Sequence, residues 1–213
     1  MTTIASTAML DASVEIGDGS MVEDFVSLGV MPSSIVPPLV VGRSALIRSH
    51  TVIYAGNTIG DRFQTGHGVL VRELNTIGSD VSIGSHSIVE HHVVIGDRVR
   101  IHSGAFIPEF TVVEHDAWIG PMVTITNAAY PRSRDAKAAL KGPTIHAGAK
   151  IGANSTLLPG VVIGRDALVG AGSVVVKDVP GRAVVVGNPA RIIRHIQDID
   201  AYRTLSDGIM GDE

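Results

Sequence analysis

Aliphatic residues recur at every sixth position of the chain, in a single phase that runs from Val41 to Ile125. Every position of this series is Val or Ile except Thr65, which is also β-branched, and a glycine often follows directly. The same spacing occurs in an earlier block, from Ile4 to Leu28, and in a later block, from Ile145 to Val175. A repeat of six residues fits neither an α-helix nor a coiled coil, whose periods are about 3.6 and 3.5 residues.

This period predicts a short strand and a turn in every six residues. The strands of a β-sandwich also contain Val and Ile, but they alternate with period two between irregular loops and do not hold one phase over so long a stretch. We therefore expect an all-β fold, a parallel β-helix with three hexads per coil, in which residues eighteen apart stack on one another. Asn57 and Asn75 have this spacing, which predicts a short asparagine ladder inside the prism.

Two interruptions break the phase. Between Leu28 and Val41 it slips by one residue in a proline-containing stretch, which predicts a bulge or a small loop. The segment 127–143 is too polar and irregular to form a coil, so we expect it to project from the prism as a loop. Long loops in compact repeat proteins are usually functional.

The end of the chain departs from the repeat. Asn188 followed by Pro189 is typical of a helix N-cap and first turn, and predicts a C-terminal helix. The apolar stripe of this helix would consist of Ile192, Ile196, Ile199 and Tyr202. The expected organisation is a β-helix domain over residues 1–187, with the projecting loop at 127–143, and a C-terminal helix and tail over 188–213.

Composition narrows the classes of function. The chain has 17 Lys and Arg against 21 Asp and Glu, a net charge of −4, so no basic excess is present to neutralise nucleic-acid phosphates. It has no cysteine, which excludes disulfides and cysteine-based metal sites. No apolar run approaches the ~20 residues of a membrane span, and the N-terminal residues do not resemble a signal peptide. We expect a cytoplasmic protein with neither a nucleic-acid nor a membrane partner.

The last hexads carry a more specific signature, Gly-Ala-Gly-Ser at 170–173, Lys-Asp-Val-Pro at 177–180 and Gly-Asn-Pro-Ala-Arg at 187–191. Together with the repeat, this ending resembles the hexapeptide-repeat acyltransferases, over about residues 41–194. The resemblance implies a left-handed β-helix, a homotrimer, and acetyl-CoA bound as the acyl donor in clefts between subunits. It also implies cofactor-binding residues, the alanines through their backbone amides and the cations at the phosphate end: Ala153, Ala171, Lys177 and Arg194.

Asn127, followed by Tyr130-Pro131-Arg132, is similar to a motif of the N-acetyltransferases that act on nucleotide-linked 3-amino-deoxysugars. In those enzymes the asparagine binds the acceptor amine, so the resemblance implies a catalytic Asn127 and a nucleotide-sugar acceptor. An amine flanked by electron-withdrawing carbons loses its proton near pH ~8, as an α-amino group does, so the site needs mainly to orient it. Loop residues beside the acceptor's diphosphate are the predicted substrate ligands: Tyr130, Arg132 and Arg134.

The histidines support a rival function, O-acetylation of a sugar or small-metabolite hydroxyl. A hydroxyl is almost fully protonated at neutral pH, so its acylation needs a positioned general base. His102 and His115 are the candidates, and Glu114 and Asp116 flank His115 and could orient it.

A more distant alternative is a metalloenzyme similar to the γ-type carbonic anhydrases. His50, His86 and His91 have spacings that suit a three-histidine site on stacked coils. These histidines occupy different phases within their hexads from the ligands of that family, and that family lacks both the long loop and the ending at 187–191. The preferred hypothesis is therefore an acyl-CoA-dependent acetyltransferase that uses no metal.

Overall fold

The computed structural model describes residues 1–203. The chain winds into a parallel β-helix whose strands form three sheets of 11, 9 and 8 strands, one on each side of a triangular prism. We name them sheets A, B and C, in the order in which the chain visits them in each coil. The all-β, hexad-based prediction is confirmed.

Most strands are two residues long. Sheet A consists of Thr3–Ile4, Met21–Val22, Leu46–Ile47, Gln64–Thr65, Ser82–Ile83, Arg100–Ile101, Trp118–Ile119, Lys150–Ile151, Leu168–Val169, Ala183–Val186 and Arg191–His195. Sheet B consists of Met9–Leu10, Ser27–Val30, Val52–Tyr54, Leu70–Val71, Ile88–Val89, Phe106–Ile107, Thr124–Ile125, Thr156–Leu157 and Val174–Val175. Sheet C consists of Glu15–Ile16, Val40–Val41, Thr58–Ile59, Thr76–Ile77, Val94–Ile95, Val112–Val113, Thr144–Ile145 and Val162–Ile163.

The strand register follows the hexads. Thr76 pairs with Val94, and Val94 pairs with Val112, so stacked residues are eighteen apart. In the two-residue strands from Met21–Val22 onward the second residue points into the prism, as Ile77 and Ile95 do, and is almost fully buried. Burying such a side chain contributes about 1.5–3 kcal/mol, which makes the aliphatic stack the main source of stability.

The corners of the prism share one backbone conformation. From Ser44 to Met122 every sixth residue has a positive φ, and most of these residues are not glycine. The left-handed conformation costs a non-glycine residue roughly 1 kcal/mol or more. Backbone hydrogen bonds between equivalent corners of successive coils hold it in place, as between the His86 amide and the His67 carbonyl. We name the corners A/B, B/C and C/A after the sheets that they join.

The asparagine ladder is confirmed. Asn57 and Asn75 are both buried, and the Asn57 Oδ1 accepts a hydrogen bond of 2.9 Å from the Asn75 backbone N–H. The Asn75 Oδ1 accepts one of 2.7 Å from the Val93 N–H in the next coil. Both side-chain amides donate to the carbonyl of Arg72. The ladder therefore satisfies backbone groups at the B/C corner over three coils.

Both interruptions are insertions at corners that leave the coil register intact. Ser27 pairs with Val52, twenty-five residues on, and Trp118 pairs with Lys150, thirty-two residues on, instead of eighteen. The second insertion is the loop predicted at 127–143, and residues 129–135 of it are exposed. It leaves the prism at the B/C corner, after Thr124–Ile125 of sheet B and before Thr144–Ile145 of sheet C.

The predicted C-terminal helix beginning at Asn188 is wrong. Arg191–His195 is a strand that pairs antiparallel with Ala183–Val186 at the end of sheet A. The last strand of a sheet has unpaired backbone groups, and the β-branched pair Ile192-Ile193 favours strand pairing over a helix. A 3-10 turn at Ile196–Asp198 and a single helical turn at Asp200–Arg203 follow. Neither helix of the described part of the chain is long and apolar enough to cross a membrane.

Candidate functional site

The three predicted catalytic residues lie on three different corners of one prism. Asn127 is at the B/C corner, His102 is at the A/B corner and His115 is at the C/A corner. A single subunit therefore does not bring them together, and each has its own surroundings.

Asn127 lies where the loop leaves the prism. Its Nδ2 donates to the Glu109 carboxylate oxygen Oε2 at 3.3 Å and to the Glu109 backbone carbonyl at 3.4 Å. Its own carbonyl accepts a hydrogen bond of 2.9 Å from the Lys141 N–H, which closes the base of the loop. Gly142 packs so tightly against the peptide between Phe110 and Thr111 that no side chain fits there. The loop base thus holds Asn127 against Glu109.

Glu109 connects Asn127 to a histidine that the sequence analysis did not place in this site. The His91 Nε2 lies 2.7 Å from the Glu109 Oε1, and both side chains are about three-quarters buried. The His91 Nδ1 lies 2.7 Å from the His92 Nδ1. His91, Glu109 and Asn127 are each eighteen residues apart, so the coil spacing alone could have revealed this column.

The coil below extends the same column with an ion pair. Arg72 donates to both carboxylate oxygens of Glu73, at 2.9 and 3.0 Å, and lies 3.6 Å from Glu90. Burial is the largest single effect and opposes ionisation of Glu73. The Arg72 hydrogen bonds, a backbone hydrogen bond and the nearby positive charges together outweigh it, so the pKa of Glu73 lies below its usual value. The Arg72 guanidinium also stacks on the Tyr54 ring, 5.1 Å from its centre. One arginine faces two carboxylates here, so the B/C corner is acidic.

The predicted substrate ligands of the loop do not converge on Asn127. Tyr130, Arg132 and Arg134 are exposed, and none of these side chains hydrogen-bonds to another residue of the described chain. Hydrogen bonds between neighbouring backbone groups, such as that from the Ser133 N–H to the Tyr130 carbonyl, fold the loop into consecutive turns. The loop therefore presents its cations to solvent beside the acidic corner.

His102 lies beside an open cleft at the A/B corner. Its Nε2 accepts a hydrogen bond of 3.1 Å from the Arg100 Nε, and its ring packs 4.7 Å from that of Trp118. Burial, with a smaller effect of the Arg100 charge, lowers the pKa of His102, so the neutral form predominates at pH 7. The cleft has a volume of about 190 Å³, and Gln64 and Ser82 of sheet A also line it.

His115 is engaged in an ion-pair cluster at the C/A corner. Its Nδ1 lies 2.6 Å from the Asp116 Oδ2, and the Arg98 Nε lies 2.6 Å from the Asp116 Oδ1. Hydrogen bonding from Arg98 lowers the pKa of Asp116 to about 2. Glu114 does not orient His115, because it accepts hydrogen bonds from His146 and from the Ala147 N–H instead.

The predicted CoA ligands occupy two corners and the end of the prism. Ala153 and Ala171 follow one another at the A/B corner, and their backbone N–H groups donate to no residue between 1 and 203. Lys177 is exposed at the B/C corner, two coils above Asn127, and lines a cleft of about 360 Å³ with Arg191. Arg194 lies on the exposed edge strand at the end of sheet A.

The three histidines of the metalloenzyme alternative are not assembled within one chain. His50 and His86 lie on the A/B corner, whereas His91 lies on the B/C corner. No group of three His, Cys, Asp or Glu side chains suited to a metal ion occurs among residues 1–203.

Comparison with known proteins identifies the repeat. Residues 76–109 and 142–177, on either side of the loop, match the family model described as bacterial transferase hexapeptide (six repeats). A putative acetyltransferase of Staphylococcus aureus strain COL is 42% identical over 69 residues, which are 32% of this chain and 35% of that protein. The dTDP-3-amino-3,6-dideoxy-alpha-D-galactopyranose 3-N-acetyltransferase of Aneurinibacillus thermoaerophilus is 60% identical over 45 residues, 21% of this chain and 23% of that enzyme. The matches thus span about a third or less of these relatives.

A solved structure shares the fold over most of the chain. The Arabidopsis UDP-N-acetylglucosamine acyltransferase superposes with a TM-score of 0.63 at 18% identity, covering 95% of this chain and 76% of that one. Both relatives named above carry the name of an acetyltransferase, a putative one in the case of the Staphylococcus protein. Residues 76–109 and 142–177 of this chain therefore carry the six-residue repeat that the bacterial transferase hexapeptide model describes.

Proposed function

We propose that this protein is an acyl-CoA-dependent acetyltransferase whose acceptor is the amine of a nucleotide-linked amino sugar. The observation that carries the proposal is the contact of Asn127 with Glu109, which His91 supports from the other side. An amide and a carboxylate placed together at an exposed corner suit a cationic amine better than a neutral hydroxyl. The relative from Aneurinibacillus, whose name specifies an amino-sugar acceptor, adds support.

The chemistry needs a free amine at the thioester carbon. An ammonium group arriving at the corner is attracted by the Glu109 carboxylate, which can also take its proton. The Asn127 Oδ1 accepts a hydrogen bond from the remaining N–H and directs the nitrogen lone pair toward the thioester. The nitrogen then attacks the carbonyl carbon, the C–S bond breaks, and the CoA thiolate takes the second proton from nitrogen. The products are an amide and CoA, with one proton released to solvent through Glu109.

The same proposal places acetyl-CoA between subunits of a left-handed, homotrimeric assembly. The outward residues of sheet B are apolar in four successive coils, whereas sheet A carries Gln64, Ser82 and Arg100 in three of these coils. The apolar column consists of Val52, Leu70, Ile88 and Phe106. Packing sheet B around a threefold axis would bury this column.

This arrangement would also complete the site. The A/B corner of one subunit would lie beside the B/C corner of the next, because these corners are the two edges of sheet B. The unpaired amides of Ala153 and Ala171 would then face Asn127 and Lys177 across the interface. Pantetheine would lie along the amides, the CoA phosphates would reach Lys177 and Arg194, and the thioester would reach Asn127. We place the reaction in the cytoplasm, where acyl-CoA is available.

The nucleotide part of the acceptor would contact the loop. Arg132 and Arg134 are exposed and have no anionic partner among the described residues. A diphosphate is the group that suits such cations, and arginine binds phosphate oxygens in a bidentate manner.

One observation favours O-acylation as a second candidate function. His102 is on the same corner as Ala153 and Ala171, and the lowered pKa of this histidine keeps it neutral and able to act as a base. Its Nε2 is occupied by Arg100, however, and would have to exchange that hydrogen bond for one from the substrate hydroxyl.

The test measures thiol release from acetyl-CoA with 3-amino and 4-amino nucleotide sugars and with matched hydroxy sugars. We expect turnover on an amino sugar that is lost in Asn127→Ala and retained in His102→Ala and His115→Ala. Turnover confined to hydroxyl acceptors and lost in His102→Ala would instead establish the second candidate.

A further inference from the structure

Two neighbouring histidines, His91 and His92, lie next to the proposed acceptor site, and only His91 contacts a residue of that site. His91 contacts Glu109, whereas His92 is exposed and contacts His91 through a 2.7 Å distance between their Nδ1 atoms. The two rings are nearly perpendicular, with centres 4.9 Å apart. His92 has no part in the reaction described above, so its contact with His91 needs an explanation.

The hydrogen-bonding partners decide which nitrogen of each ring carries a proton. The ionised Glu109 carboxylate can only accept, so its contact with the His91 Nε2 favours the tautomer that has the hydrogen on this nitrogen. A neutral His91 then has a bare Nδ1, which must accept from the His92 Nδ1–H. His92 therefore has its hydrogen on Nδ1.

The ring of His92 is held in place by its position at the corner. It adopts the left-handed conformation, with φ of 56°, and the Phe110 ring in the coil above packs 5.7 Å from it. Leu74 occupies the equivalent position in the coil below, with φ of 62°. The Phe110 ring above restricts the His92 ring, so its Nδ1 remains directed at His91.

We propose that His92 is a positioning residue for the acceptor site. By donating to the His91 Nδ1, it acts together with Glu109 to hold His91 as the tautomer that donates to the Glu109 Oε1. Glu109 then keeps its Oε2 for the Asn127 amide nitrogen, and the Asn127 Oδ1 is left for the ligand. Within residues 1–203 no group donates a hydrogen bond to this Oδ1. The assignment of the tautomer rests on the geometry alone, whereas its effect on turnover rests on the proposed function.

Two substitutions of His92 separate hydrogen bonding from shape. In His92→Asn the side-chain amide places an N–H near the position of the histidine Nδ1–H, and Asn tolerates the left-handed conformation. His92→Leu removes the donor, and Leu74 shows that this corner position accepts leucine. The matched control is Ser44→Leu, which puts the same side chain at an exposed left-handed corner of another edge, where φ is 57°.

The deciding measurement is the tautomer of His91 in the full-length protein, from long-range proton–nitrogen NMR correlations of ¹⁵N-labelled imidazole rings. We expect the Nε2–H form in the wild type, in Ser44→Leu and in His92→Asn, and a mixture of tautomers in His92→Leu. A wild-type His91 with its hydrogen on Nδ1, or an unchanged tautomer in His92→Leu, would overturn the proposal. This measurement needs no substrate, so it remains decisive even if no amino sugar is acetylated.

The kinetic measurement tests the consequence for the reaction. On an amino-sugar acceptor, His92→Leu should raise KM by roughly fivefold, the effect of losing one hydrogen bond between neutral groups. His92→Asn and Ser44→Leu should stay close to the wild-type KM. If His92→Leu changes the tautomer but leaves both KM and kcat unchanged, His92 does not position the acceptor site and the proposal fails. If the wild type acetylates no amine, the proposed function has failed instead, and the NMR result still decides the tautomer.

Discussion

Asn127 and Glu109 are eighteen residues apart in the chain and one coil apart in the prism, and the amide of Asn127 donates to the Glu109 carboxylate across 3.3 Å. An ionised carboxylate accepts but does not donate, so it determines which end of the Asn127 amide remains for a ligand. The corner then offers a neutral acceptor beside a negative charge. This combination distinguishes an amine, which can carry a positive charge, from a hydroxyl.

Neutralising Glu109 should therefore impair amine acetylation more than it impairs the fold. We expect Glu109→Gln to lower kcat/KM for an amino sugar by about 10²-fold or more, the range for loss of a positioned acid–base group. Steady-state kinetics with acetyl-CoA measure this loss, and Glu15→Gln, an exposed carboxylate on sheet C, is the control. Equal activity of the two variants would show that Glu109 has no role in acceptor chemistry.

The asparagine ladder should contribute measurably to stability. In Asn75→Ala the Val93 N–H loses its buried acceptor, and an unsatisfied buried group costs about 1–3 kcal/mol. The free energy of unfolding from urea titration measures the loss. Thr76→Ala, at the exposed neighbouring position, should change it little. A loss of the same size in both variants would show that the ladder has no special contribution.

The ion pair at Asp116 should make part of the stability depend on pH. The pKa of this carboxyl is lowered to about 2 in the folded protein, chiefly by Arg98, against ~3.9 in an unfolded chain. Its contribution is therefore present above pH ~4 and disappears as the pH falls toward 2. Asp116→Asn should lower the thermal midpoint by a few degrees at pH 7, and by progressively less below pH ~4. Asp18→Asn is the control, and a difference from wild type that does not depend on pH would contradict the prediction.

The apolar column of sheet B should determine the oligomeric state. Phe106→Glu places a charge in the proposed threefold contact, so we expect it to convert a trimer of 66.9 kDa, three times 22.3 kDa, into monomers. Light scattering after size exclusion measures the mass. Val94→Glu introduces the same charge on sheet C, where the side chain is 45% exposed, and should leave the trimer intact. Dissociation in the second variant only would assign the interface to sheet C.

Much of the fold follows from the period of six because the position within a hexad determines whether a side chain points inward or outward. The same arithmetic placed Asn57 under Asn75, and the structure confirms that ladder. The sequence-based prediction failed at the end of the repeat, where Arg191–His195 forms a strand that pairs with the otherwise free edge of Ala183–Val186. A helix-cap motif depends only on neighbouring residues in the sequence. Whether a strand edge is free to pair depends on the tertiary structure, so the motif could not reveal it.

The candidate site was only partly predictable for a related reason. The motif at the loop indicated Asn127, but the groups around it come from earlier coils. His91 and Glu109 share its column, and counting back in steps of eighteen finds them. Which corner side chains touch across coils depends on their rotamers and on neighbours such as Phe110, and periodicity carries no information about either.

The six-residue repeat also determines which changes of chain length the protein tolerates. Deleting six residues between Glu109 and Asn127 would keep every later aliphatic side chain inside the prism, and the core would survive. All the residues that follow would move to another side, however, and Asn127 would no longer stand above Glu109. A deletion of eighteen residues, one whole coil, instead keeps every later residue on its own side of the prism and shortens it by one layer, about 4.8 Å. In this protein a functional column tolerates changes of length only in whole turns, while the core tolerates them in thirds of a turn.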